Sequence, residues 1–120
     1  MAKLAKICIM LVRLIAVIEL GLGVWIASAS GLRYLHAHMG LGFLMALLVL
    51  ILAIVAFTKR QLIVGVLGVI FAILLPAIGL RQFPLKFGPH VGAIQVAHVV
   101  VALASIGVAE ALYGRIKRLA

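Results

Sequence analysis

Four long apolar runs, each broken from the next by a short polar stretch, constrain this chain more than any other feature. They extend from about Ile7 to Ser28, Tyr34 to Phe57, Leu62 to Leu80 and Val91 to Tyr113. At 1.5 Å of rise per residue, a helix over any of these runs is long enough to cross the roughly 30 Å of hydrocarbon in a bilayer. The runs are continuous and do not alternate in segments of about ten, so an outer-membrane barrel is excluded. Composition agrees. Hydrophobic residues make up 68% of the 120 positions and charged residues 11%, with a mean hydropathy of +1.41. A soluble domain carries about a quarter of its residues charged.

The breaks carry residues that stop helices or seek water. Ser28, Ser30, Gly31 and Arg33 follow the first run, and Thr58, Lys59, Arg60 and Gln61 the second. The longest break, Arg81 to His90, contains Pro84, Gly88 and Pro89, which forbid helix continuation, and Lys86. The first run is longer than the apolar core of a signal peptide, so it reads as a membrane span. The expected fold is all-α: residues 1–120 form a single integral membrane four-helix bundle, up-down-up-down.

Lysine and arginine set the expected orientation. Lys3, Lys6, Lys59, Arg60, Arg115, Lys117 and Arg118 fall on one side, against Arg33, Arg81 and Lys86 on the other. By the positive-inside rule both termini are cytoplasmic. The location expected is a bacterial or archaeal inner membrane, crossed several times. The formal charge of +9 is then topology signal with contacts to anionic membrane lipids, and calls for no nucleic-acid partner. Cys8, the one cysteine, has no partner for an internal disulfide.

Polar residues inside a membrane helix are costly, and function is sought among them. His36 and His38 open the second run and His98 lies about two turns into the fourth. Both runs start from the same face, so these imidazoles share one half of the membrane. Two imidazoles on facing helices can hold a haem iron from opposite sides. Positions two apart on a helix point to nearly opposite sides, so only one of His36 and His38 can face that iron. His38 lies 21 residues before Lys59, His98 17 before Arg115 and His36 23 before Lys59. Depth favours His38 with His98, His36 remaining the alternative.

Gly40 and Gly42 follow His36 and His38 by one turn and would let a porphyrin approach the backbone closely. Arg33, Arg81 and Lys86 form a basic rim suited to propionates, or are solvated loop charges. His90, after Pro89, reads as a surface residue. The bland reading of the histidines is hydrogen bonding between helices. No Cys or Asp and no second close-spaced ligand accompanies His98, which disfavours a bare transition metal. Glu19 lies near the middle of the first run, as a hydrogen-bonding buried acid or as a proton carrier. Arg13 and Glu110 lie at comparable depths from the same face and read as a structural ion pair.

The stretches GLGVWIASASGL (Gly21 to Leu32), LHAHMGLG, LLPAIGL and AIQVAHVVVALASIG together resemble one half of the heme A synthase family. Members of that family consist of two four-helix halves, each holding a haem between histidines on its second and fourth helices. The resemblance implies a haem on His38 or His36 and His98. The family's second helix carries a glutamate three residues before the histidine, where this chain has Arg33 before His36 and Leu35 before His38. Its loop cysteine pair is also absent here. The resemblance therefore implies a haem-holding bundle without the family's catalytic carboxylate.

The expectation is a b-type cytochrome with one haem b, an electron-transfer protein or redox-complex subunit rather than an independent enzyme. Its expected partners are membrane lipids and either other membrane subunits or a second copy in a homodimer. Two rival readings are a small multidrug-type proton antiporter using Glu19 and a cofactor-free structural subunit of a membrane complex.

Overall fold

The computed structural model describes residues 1–27, 34–81 and 91–119, and all of the regular structure there is helical. The helices are α1 (Ala2–Ala27), α2 (Leu35–Thr58), α3 (Leu62–Arg81) and α4 (Val91–Arg118). All four are long and apolar enough to cross a membrane. α1 starts several residues before the expected boundary and α4 runs several beyond it. The added residues include Lys3, Lys6, Arg115, Lys117 and Arg118. Charge marks where hydrocarbon ends, but a helix need not stop there, since Lys and Arg are good helix formers in water. Arg33, Lys86 and His90 lie outside the described residues.

Consecutive helices are antiparallel neighbours, and α1 packs antiparallel against α4 to close the ring. α2 and α4 also touch across one diagonal, whereas α1 and α3 do not meet among the described residues. α2 is the most covered helix and α4 the least.

The α2–α3 connection is tight. Lys59 caps α2, the Arg60 N–H donates to the Phe57 carbonyl at 2.9 Å and the Gln61 N–H to the Ala56 carbonyl at 2.9 Å. This is the Schellman arrangement, which satisfies two carbonyls left open by the helix end. It requires a left-handed residue, here Arg60 at φ 57°, in a position where glycine is the usual occupant. Immediately beyond, Gly68 lets α3 approach closely. A β-carbon there would stand 2.8 Å from the Ala53 β-carbon and 2.9 Å from Leu112 Cδ1.

The core is concentrated at one end. The buried apolar side chains run from Ala5 to Ala16 in α1, Met45 to Ala56 in α2, Ala72 and Leu75 in α3, and Ala109 to Ile116 in α4. Ser105 is buried among them, its hydroxyl donating to the Val101 carbonyl at 2.7 Å. This half holds the chain termini and the α2–α3 turn, and is called the terminal half below. In the other half, the distal half, no described residue is buried.

Candidate functional site

The distal half holds the polar groups singled out from the sequence. His38 enters from the first turn of α2 and His98 from the second turn of α4, along the diagonal that those helices share. Their ring centroids are 6.1 Å apart and their planes stand at 82°. His36, two positions from His38, is exposed, and only His38 is brought against His98. The reason is helical geometry: two residues turn the side chain by about 200°.

Glu19 belongs to the same group. Its Oε2 lies 2.9 Å from His38 Nδ1, with 14% of the Glu19 side chain and 21% of the His38 side chain exposed. The contact has the distance of an ion pair, but the ring N–H is not aimed at the carboxylate, so Nδ1 counts as without a hydrogen bond. Among the described residues, three buried polar side-chain atoms lack a hydrogen-bond partner: Glu19 Oε1, His38 Nδ1 and His98 Nδ1. All three are here. An unpaired polar atom in a low-dielectric interior costs several kcal/mol, on the order of 2–7 for an amide or hydroxyl.

Glycines on two facing helices lie beside these side chains at distances a β-carbon would tolerate. A β-carbon on Gly23 would lie 3.7 Å from His38 Cε1, and one on Gly42 would lie 3.6 Å from Glu19 Oε2. On α3, a β-carbon on Gly79 would lie 3.1 Å from His98 Cε1, tighter than ordinary contact. Gly42, which the sequence suggested beside a porphyrin, lies near the Glu19 carboxylate. Gly40 faces open space, and Arg81, at the end of α3, is exposed.

Sequence reasoning missed two features: the closeness of Glu19 to His38, and the place of Gly79 against His98. The first had a usable signal. α1 and α2 are antiparallel neighbours, so a carboxylate in the outer part of α1 could be sought beside the histidines that open α2. The second had none beyond a glycine in an apolar run.

Arg13 and Glu110 are brought together away from this group. Arg13 Nε donates to Glu110 Oε1 at 2.6 Å and Nη2 to Oε2 at 2.9 Å, a two-pronged pair joining α1 to α4. The pair lies on the outside of the bundle, with 55% of the Arg13 and 41% of the Glu110 side chain exposed.

Chemically, the distal group offers two imidazoles facing one another and a carboxylate beside one of them. Among the described residues no group of three or more His, Cys, Asp or Glu is placed to hold a metal ion. The arrangement suits a ligand that brings most of its own coordination, or the passage of protons. No family model, no curated protein and no solved structure matches the chain.

Proposed function

We propose that the chain is a small b-type cytochrome that holds one haem b in its distal half, with His38 and His98 as the axial ligands, and serves one-electron transfer. The 6.1 Å separation of the two imidazole centroids across the bundle carries this reading. Two imidazoles that each bind a metal through a nitrogen at roughly 2 Å have centroids about 6 Å apart. A porphyrin supplies four further nitrogens, which accounts for a site with two protein ligands and no third.

The neighbours fit this role. Glu19 stands 2.9 Å from His38 Nδ1 without a hydrogen bond, and a small rotation of the ring that made one would fix the tautomer and orientation of a ligating histidine. Gly79 lets His98 lie against α3. Bound haem supplies a one-electron iron couple. The protein holds the iron, shields it from water and orients its ligands. The resemblance to half of the heme A synthase family points the same way. So does the lack of that family's catalytic glutamate, which favours electron transfer over catalysis. The distribution of Lys and Arg supports cytoplasmic termini, with the haem toward the opposite face of what we read as a bacterial or archaeal inner membrane.

The test is the absorption spectrum of detergent-purified protein, oxidised and then reduced with dithionite, with His98→Ala and Glu19→Gln beside it. A sharp Soret band and split visible bands on reduction are expected in the wild type. They should be lost in His98→Ala and kept, with shifted positions or potential, in Glu19→Gln. Colourless wild-type protein from haem-replete cells would exclude the proposal. A transport activity lost in Glu19→Gln and intact in His98→Ala would instead establish the antiporter reading.

A further inference from the structure

A second polar feature lies at the opposite end of the bundle and is unrelated to the haem reading. Where α1 begins and α4 ends, the two helices are separated by a cleft of about 400 Å³ lined by Ala2, Lys3, Lys6, Tyr113, Ile116 and Lys117. Lys3 and Lys6 are one helical turn apart on α1, and Tyr113, Ile116 and Lys117 share one face of α4, so two basic faces meet across the gap. All three lysines are exposed, and Ile116, fully buried, forms the floor.

Among the described residues these lysines have no carboxylate partner: Glu19 is at the distal end beside His38, and both oxygens of Glu110 are taken by Arg13. The cleft therefore offers its positive charge to an external anion.

We infer that the cleft is a headgroup site for an anionic phospholipid, whose phosphodiester sits among Lys3, Lys6 and Lys117 with the Tyr113 hydroxyl as a further donor. The groove below the cleft favours a lipid over a soluble phosphate. Arg13 follows Lys6 by seven residues and Glu110 precedes Lys117 by seven, so the exposed ion pair lies on the same groove, roughly 10 Å deeper. Arg13 commits two donors to Glu110 out of the five that a guanidinium has. An exposed charge at that depth needs polar company, which the ester oxygens of a lipid provide while its chains follow the apolar flanks of Met10 and Leu14, both exposed. A free phosphate reaches the lysines only. Basic pockets between membrane helices are a known setting for such headgroups.

Native mass spectrometry tests this on protein equilibrated with phosphatidylglycerol and phosphatidylcholine in equal amounts. The wild type should retain phosphatidylglycerol selectively. Lys3→Gln/Lys6→Gln/Lys117→Gln should retain it roughly a hundredfold less, each lysine near an anionic headgroup contributing about a factor of five. Lys59→Gln/Arg60→Gln/Arg118→Gln removes as many charges from the same end and should retain it like the wild type. All six side chains are at the surface, and circular dichroism verifies that both variants remain helical. Equal retention by the cleft variant, equal loss in the control variant, or complete displacement of the lipid by excess inorganic phosphate would each overturn the inference.

Discussion

The terminal and distal halves of this bundle are made by the same four helices and are built on different terms. In the terminal half, Val12, Val49, Leu52, Ala56, Ala109, Leu112 and Ile116 are fully covered, and Gly68 lets α3 approach closely. Past Ala16, Met45, Leu75 and Ser105, no described side chain is buried. There the helices bring together Glu19, His38 and His98, and three buried polar atoms lack hydrogen bonds. A bundle whose only task was to persist would have no reason to carry unpaired polar atoms. The buried core lies in the terminal half, and on the haem proposal the distal half is the part shaped for a ligand.

The largest expected effect tests that division of labour directly. His98→Ala should abolish pigment binding while leaving helical content and the thermal midpoint of the ligand-free protein close to wild type. A collapse of the fold would show that the distal half is structural after all. Next, Arg13→Gln or Glu110→Gln strands one charge on the bundle surface within the membrane. Each single variant should be less stable than the wild type in unfolding from mixed micelles, and the double variant should recover part of the loss.

Gly68→Ala comes third, at about 1–3 kcal/mol, because the Ala53 β-carbon cannot swing aside. Gly79→Ala is its distal counterpart, and should cost under about 1 kcal/mol while shifting the reduced spectrum through His98. If Gly79→Ala proved the more destabilising of the two, the contrast between the halves would fail. Arg60→Gly is of similar size and opposite sign: it relieves the left-handed strain in the α2–α3 turn and should raise stability by about 1 kcal/mol in equilibrium unfolding.

Much of this was legible in the residues. Four apolar runs with water-seeking breaks have few alternatives to a helical bundle, because hydrocarbon leaves no other way to satisfy the backbone. Depth along the runs was enough to bring Arg13 opposite Glu110 and to prefer His38 over His36, since both depend only on rise and rotation per residue. The place of Gly79 against His98 was not legible. What a missing β-carbon makes room for depends on the rotation of two helices about their own axes, and nearly uniform Leu, Val and Ile leave that rotation unmarked. Arg60 was read as a topology charge, and its φ of 57° followed from a three-residue turn whose tightness composition did not reveal.

The clasp between Arg13 and Glu110 also has a consequence for how the protein is made. The two residues are 97 positions apart, so at roughly 5–20 residues per second some 5–20 s separate their synthesis. Through that interval α1 must wait with an unmatched guanidinium, held at the lipid surface or sheltered by the insertion machinery. Emergence of α4 ends the wait and closes the ring in one step. A nascent chain that stalls before α4 is thus marked by a single lone charge, and the same pair that fastens the finished bundle tells it apart from an unfinished one.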